Sequence, residues 1–544
     1  MRVLIVGGAG VFGSRLARML VRDGHAVTVA GRDLAAARAV AGALGCAALR
    51  LDRTGDLAGL AGHEVVVDAS GPFQDYGADP YRLARAALGA GAHYLDLSDD
   101  AGFCAGIATL DPVARAAGLA ALSGLSTLPA LSGAAVAALA GPDRPRMIDV
   151  ALLPGNRSPR GVSVMAAILT QAGRDVPVWR GRCWMRARGW SDPRRYALPG
   201  GLVREGWRIG APDLWLFPAR FGADSVTFRA GLELAVLRRG LRAFALLRQL
   251  TGWQGPIGPR HPVLRLARGA ATALGRAGTG RGGMVVEIVA GEERRWWRLL
   301  AEGGDGPFLP GVAVRALLRR ERLPVGAGPA VTVISLAEAE AAMADLEVRH
   351  ETGRAPLAPL FAQVLGRDFD ALPGPVRATH LTADVARWEG RASVTRGPGR
   401  WARLLAWAFG FPPATADVAV RVTKTVTPRG ETWERRFGAA RFRSHLAATP
   451  AGMTERFGPF TFRLGLRRRD GALDYPVVAG RFGPVPLPRR MLPVSVASET
   501  AEDGRFRFDV ALHAPLTGGL MVRYRGWLVP AAGEDPARQA GRGR

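Results

Sequence analysis

The chain opens MRVLIVGGAGVFGSRLARMLVRDGHAVTVAGRD. An apolar run, Val3–Val6, meets a glycine turn, an amphipathic stretch from Phe12 to Arg22 follows, and a second apolar run covers Ala26–Ala30. No other feature constrains the fold as tightly. Two short strands separated by one helix form a right-handed crossover, so they lie parallel in one sheet. Gly8-Ala9-Gly10-Val11-Phe12-Gly13 satisfies GxGxxG in the strand-to-helix setting that gives this spacing a mechanism. Gly8 is expected to permit the tight turn, Gly10 to let backbone approach a pyrophosphate, and Gly13 to let helix and strand pack closely. The first-turn amides of Val11 and Phe12 would face the phosphates.

The alternation continues. Ala48–Leu51, Val65–Ala69, His93–Leu95 and Leu119–Leu122 read as strands, with helical stretches at Leu34–Leu44 and Pro80–Leu88. Residues 1–125 are therefore expected to be an α/β, Rossmann-like, doubly wound parallel sheet. The texture then changes. Residues 126–345 mix strand-like runs with helices and read as a second, α+β domain for substrate binding or dimerisation. The run Gly231–Leu250 is a basic amphipathic helix, suited to a surface or subunit interface, with membrane-surface docking as the alternative. A Gly/Ala/Pro-rich stretch, Gly353–Pro359, reads as a linker. Beyond it, DVAVRVTKTV, ETWERRF, ARFRSHLAA, RFRFDVALHA and LMVRYRGWLV all alternate with period two. Residues 355–530 are thus expected to form a mainly antiparallel β domain, curved around the helix Trp401–Phe409, and 531–544 a disordered tail.

The formal charge of +26 invites a nucleic-acid reading. Composition weakens it. Lys424 is the single lysine and Asn156 the single asparagine, whereas Ala, Gly, Arg and Pro abound, which is the signature of GC-rich codons. The arginines are also spread along the whole length, so nucleic acid is not an expected partner. Cys46, Cys104 and Cys183 lie far apart without CxxC spacing, which fits a reducing cytoplasm and no structural metal. The uncharged run from Ala116 to Pro142 is too rich in Ala, Gly and Ser to span a bilayer and reads as strand, turn and buried helix.

Cofactor choice turns on the end of the second strand. An NAD site usually places Asp or Glu there, and this chain has Ala30-Gly31-Arg32. A guanidinium binds a 2′-phosphate bidentately, so NADP is expected over NAD, with Asp33 read as a helix N-cap. Asp52 is a candidate adenine contact or a turn residue. Ser70, Gly71 and Pro72, after the fourth strand, leave room for the nicotinamide ribose. Tyr94 and Asp96, in HYLDLS at the end of the fifth strand, are the candidate acid/base pair, with Ser98, Ser123, Ser126 and Thr127 as further polar groups. In the C-terminal domain Trp433, Glu434, Arg435, Arg436, His445 and Glu455 are a candidate binding set. An apolar cavity inside that sheet would take lipid-like or polyketide-like ligands. Neither GxSxG nor HExxH occurs, and the position of Lys424 excludes a Schiff base in the first 345 residues.

Together VLIVGGAGVFG, the AGR ending, DASGPF, HYLDLS and SGLSTLPALSG resemble the saccharopine dehydrogenase-like family of NADP-dependent oxidoreductases. GNRSPRGVSV and GDGPFLPGVAVRALLRRERLP resemble the start and the closing segment of that family's second domain, so the likeness covers roughly residues 1–345. The segment Arg523-Tyr524-Arg525-Gly526-Trp527 resembles an uncharacterised domain found at the C-terminus of some such reductases. The resemblance implies hydride transfer with NADP on a small-molecule substrate that the residues do not identify. A non-catalytic NADP sensor and a membrane-peripheral reductase of lipid or polyketide double bonds stand as alternatives, and a homodimer is left open.

Overall fold

The computed structural model describes every residue except Arg160, Pro259, Asp470 and 537–544. Most of the expected tail, 537–544, therefore lies outside the described residues. Two compact units separate: Met1–Trp179 with Trp184–Ala355 and the described residues from Asp535, and Pro356–Glu534 with Arg180–Cys183.

The first unit begins β1 (Arg2–Val6), α1 (Val11–Arg22), β2 (Ala26–Gly31), α2 (Leu34–Leu44), β3 (Ala47–Arg50) and β4 (Val65–Asp68). It continues α3 (Arg82–Gly89), β5 (His93–Asp96) and β6 (Ala120–Ser123). All neighbours in this sheet are parallel, in the order β6-β5-β4-β1-β2-β3, with the direction of winding reversing between β4 and β1. Both faces are buried, as such a sheet requires. Val3, Ile5, Val65 and Val67 point to the α1 side, where Leu16, Met19 and Leu20 meet them. Leu4, Val6 and Val66 point to the other, under Leu83, Ala87 and Leu88 of α3.

The sheet does not end at residue 125. Gly326–Pro329 pairs in parallel with β6 as a seventh strand. The helix before it, Leu309–Leu318, packs on α1: a Cβ on Gly311 would lie 2.7 Å from Met19 Cε, and Arg315 holds Asp23 through two hydrogen bonds of 2.8 and 2.7 Å. The expected boundary thus stops one strand short, because nothing local in VGAGP marks it as a sheet edge.

A second, mixed sheet fills most of 145–356. Its last strand, Val348–Pro356, absorbs much of the expected linker, and a Cβ on Gly353 would strike the Trp296 ring at 2.5 Å. Gly231 likewise ends a strand, Ser225–Gly231, and the basic helix runs Ala235–Thr251. Its Arg248 is buried and donates to the carbonyls of Leu169, Thr170 and Gly255, so that cation is a packing group. No helix among the described residues is long and apolar enough to cross a membrane.

The second unit is a closed antiparallel ring. Its strands run, in spatial order, 494–502, 505–513, 520–530, 385–395, 415–427, 430–437, 440–449 and 452–457. A hairpin completes it, with Phe460–Leu464 and Arg467–Arg469 on one side and Ala472–Asp474 and Val477–Phe482 on the other. Closure occurs at Pro476. Residues before it pair with 498–500, while residues after it pair with 460–464. Alternation puts Val420, Val422 and Lys424 inside on one strand and Trp433, Arg435 and Phe437 inside on the next. The helix expected at Trp401–Phe409 runs Arg400–Ala408, and Leu405 and Phe409 line the interior space.

Candidate functional site

The glycine turn is shaped by close approaches. Gly7, with φ +77°, makes the tight turn that was expected of Gly8, and its amide donates to Ala30 O at 2.8 Å. Gly8 is confined differently: a Cβ there would lie 2.9 Å from Ile5 O. Gly13 is the tightest, since its Cβ would fall 2.4 Å from Gly7 O, so strand end and helix touch as GxGxxG requires. At Gly10 a Cβ would meet only Gly7 O, at 3.1 Å, and otherwise open space. The first i to i−4 bond of α1 is Ser14 N to Gly10 O, which leaves the amides of Val11, Phe12 and Gly13 ahead of it. No acidic residue occupies that first turn. An anion is what such a helix start accepts.

Beyond β2, Arg32 is exposed. Asp33 caps α2, accepting the Ala36 amide at 3.1 Å. Asp52 is drawn into its own turn, accepting the Thr54 amide at 3.0 Å and the Thr54 hydroxyl at 2.8 Å, and those bonds hold its carboxyl below the ordinary value. The loop after β4 packs directly on the glycine turn, since a Cβ on Gly7 would lie 2.7 Å from Ser70 Cα. Buried Asp68 braces that loop, accepting from the Ser70 amide (2.9 Å), the Ser70 hydroxyl (2.6 Å) and the Tyr76 hydroxyl (2.7 Å). Gly71 is exposed and Pro72 half-buried at the carboxyl edge of the sheet.

Tyr94 and Asp96 lie deeper than an acid/base pair facing a cleft would. Tyr94 is buried and donates to Asp68 Oδ2 at 3.4 Å; burial, then Asp96 and Asp68, keep its phenol protonated. Asp96, also fully buried, accepts from the Ser98 amide (2.9 Å), the Ser123 hydroxyl (2.9 Å) and the Gly124 amide (2.8 Å). Burial raises its carboxyl to about 7 against those bonds. The pair ties together the ends of β4, β5 and β6. Ser98 and Ser123 belong to the same knot, and Cys104 packs beside it with its thiol pushed up by burial.

One buried carboxyl escaped the sequence reading. Asp213 begins the helix Asp213–Phe221, is fully buried, and has neither oxygen in a contact-distance hydrogen bond. Burial, opposed by Ser132, pushes it up to about 7. APDLW looks like an ordinary helix start, so only the fold reveals the burial. A second cluster, on one face of the mixed sheet, joins Asp149 to Arg194, Arg229, Tyr196 and Thr227, and Arg194 also to Glu287. It is charge-matched.

Inside the barrel of the second unit lies a cavity of about 180 Å³. Phe457, Phe460, Phe462, Val510 and Leu512 are among its apolar walls. Of the candidate set, Trp433, Arg435 and Glu455 face it, whereas Glu434 and Arg436 pair with each other on the outside at 2.8 Å. His445 lies outside too, its ring beside Thr432 Oγ1 at 3.3 Å. Period two separates them. The reading missed Lys424, His380, Tyr475, Glu499 and Tyr524, which lie on five different segments and share no local pattern.

A parallel doubly wound sheet whose glycine turn, open helix start and strand-edge loops converge at the winding reversal is the architecture of a dinucleotide-binding domain. Residues 3–122 match the family described as the saccharopine dehydrogenase NADP binding domain, and residues 372–528 match a domain of unknown function (DUF4166). The chain is accordingly an NADP-dependent oxidoreductase whose NADP-binding domain is of the saccharopine dehydrogenase type. Among solved structures, it is similar to the apo saccharopine dehydrogenase (L-Glu forming) of Saccharomyces cerevisiae. That likeness has 15% identity and a TM-score of 0.45, over 65% of this chain and 99% of that one. It is also similar to the UDP-N-acetylglucosamine 3-dehydrogenase GnnA of Acidithiobacillus ferrooxidans, with 12% identity and a TM-score of 0.28, over 65% and 82% of the two chains. A third is the RhlG/NADP active-site complex of Pseudomonas aeruginosa, with 17% identity and a TM-score of 0.19, over 22% and 69%. No curated protein matches the chain.

Proposed function

We propose that the first unit binds NADP(H) over the β1–α1 turn and transfers hydride at the carboxyl edge of its sheet, and that the C-terminal barrel is a binding module for substrate or partner. The pyrophosphate rests on the amides of Val11, Phe12 and Gly13 with Gly10 beneath it. Arg32 takes the 2′-phosphate, and Ser70, Gly71 and Pro72 border the nicotinamide ribose. The observation that carries this reading is the packing of the Ser70 backbone against Gly7, which brings the phosphate turn and the loop after β4 to one edge of the sheet. When bound, the nicotinamide supplies the hydride.

Within this reading Asp96 and Tyr94 act as positioning residues. Asp96 holds the amides of Ser98 and Gly124 and so fixes the two strand ends beside the nicotinamide; Tyr94 and Tyr76 do the same for Asp68 and the Ser70 loop. The substrate is left to the second domain and the barrel. The test is calorimetric titration of the full chain with NADPH and with NADH. NADPH is expected to bind at least tenfold more tightly; equal affinities would overturn the role of Arg32, and absence of binding the whole assignment.

A further inference from the structure

The barrel interior specifies what it holds. Its charged lining consists of Lys424, Arg435, Glu455 and Glu499. These cancel. Arg435 pairs with Glu455 at 3.1 Å, and the Ser444 hydroxyl donates to the same Glu455 oxygen at 2.7 Å. Lys424 donates to Thr379 O at 2.7 Å, faces His380 Nδ1 at 3.5 Å, and lies 3.8 Å over the Trp433 ring. His380 Nε2 in turn meets Glu499 at 2.5 Å, and the Tyr475 hydroxyl donates to Glu499 at 3.1 Å. Burial, then Lys424, pushes the His380 imidazole down to about 4, so it is neutral and relays between the cation and the carboxylate. Glu431, behind Trp433, is raised by burial and adds no positive charge.

Two cations against two carboxylates leave nothing for an anionic headgroup. A carboxylate or phosphate entering this space would be a buried charge without a partner, at a cost of several kcal/mol. A phenol on the wall is nevertheless unclaimed. The Tyr524 hydroxyl, on the lining and on a residue only 8% exposed, has no hydrogen-bond partner among the described residues, and burial keeps it protonated. Apart from the Thr379 hydroxyl, which donates to Pro375 O at 2.8 Å, and the Ser495 hydroxyl, the rest of the wall is mainly aromatic and aliphatic.

We infer that the barrel binds an apolar molecule bearing one uncharged oxygen function, a hydroxyl or a carbonyl, whose oxygen meets the Tyr524 hydroxyl. This rests on reading the barrel as a binding module and not on the cofactor assignment. The ring closed at Pro476 favours it, because a barrel wider than eight strands encloses more space than its own side chains fill. A phenol both donates and accepts, so it serves a hydroxyl and a carbonyl oxygen alike.

The experiment is calorimetric titration of the full chain at neutral pH with 1-decanol, 2-decanone and decanoate, alongside NADPH in the same preparation. The two neutral probes are expected to bind at least tenfold more tightly than decanoate. Tyr524→Phe, with unfolding temperature checked, should weaken both neutral probes about tenfold. Glu455→Gln, which frees the Arg435 charge while keeping an acceptor for Ser444, should strengthen decanoate about tenfold relative to 1-decanol. Decanoate binding as well as decanol to the unaltered chain would overturn the proposal, as would a folded Tyr524→Phe with full affinity for the neutral probes. Failure of all three probes while NADPH binds would overturn the barrel reading alone; failure of NADPH while decanol binds would overturn only the cofactor assignment.

Discussion

The Asp33 carboxylate accepts the Ala36 amide at 3.1 Å and is thereby committed to capping α2. That leaves Arg32 as the side chain free to meet a nucleotide at the end of β2, and cofactor preference should rest on it. Arg32→Ala is expected to weaken NADPH by about 1.5–3 kcal/mol, the range for hydrogen bonds to charged groups, and to leave NADH nearly unchanged. Calorimetry giving equal losses for the two nucleotides would assign the preference elsewhere.

Gly10 and Gly13 should fail in different ways. A side chain at Gly10 presses only on Gly7 O, at 3.1 Å, and otherwise projects into open space at the helix start, so Gly10→Val should lower the unfolding temperature less than a change at Gly13 and abolish NADPH binding. Gly13→Ala puts a methyl 2.4 Å from Gly7 O and should cost about 1–3 kcal/mol of stability through overpacking. Thermal unfolding and titration of both variants separate the two roles; a Gly10→Val protein that binds NADPH normally would make the turn purely structural.

Asp213 gives a pH prediction with a definite sign. Its carboxyl is raised to about 7 in the fold, against an unfolded value near 4, so the native state holds a proton that the unfolded state has lost. Its contribution is fully present below about pH 4 and is lost as pH rises through 7. Asp213→Asn removes that loss, so the variant should gain stability relative to the unaltered chain between pH 5 and pH 8, by about 2.7 kcal/mol, since roughly two of the three pK units lie above pH 5. Urea unfolding at the two pH values measures it. A difference between the proteins that does not change with pH would mean that Asp213 is ionised in the fold.

Limited proteolysis should cut at 357–359 and not at Gly353. Gly353 is inside a paired strand against Trp296, and the next helix begins at Leu360. Cleavage there should release a piece ending near residue 356 that keeps full NADPH affinity, and a barrel piece that binds no nucleotide. Loss of NADPH binding by the first piece would show that the cofactor site needs the barrel.

The elements that the sequence made legible are those whose evidence is local. Val3–Val6, the glycine turn and Leu34–Leu44 carry their own periodicity and caps, and the strands of the barrel announce themselves through period two. Where the information is long-range, reading along the chain fails. Gly326–Pro329 is a strand only because β6 offers it an edge, and Val348–Pro356 looks like a linker until its partner is known. The same holds at the sites. The places of Gly13, Arg32 and Ser70 at the carboxyl edge of the sheet were legible because their spacing from β1, β2 and β4 is fixed. Asp213, Lys424, Glu499 and Tyr524 acquire meaning only from burial, which distant elements supply. The depth of Tyr94 and Asp96 belongs to this second kind, since a strand-end carboxylate reads the same whether it faces a cleft or a knot of amides.

The seventh strand of the nucleotide sheet has a consequence for how the chain is made. β6 leaves the ribosome roughly two hundred residues before Gly326–Pro329, and until that strand arrives its hydrogen-bonding edge has no neighbour. The nascent first sheet must therefore wait, with β6 as an open template, while the intervening mixed sheet is synthesised. The Asp23–Arg315 clasp on α1 forms from the same late segment. Translation order thus makes completion of the nucleotide sheet a late event, more than three hundred residues after its glycine turn.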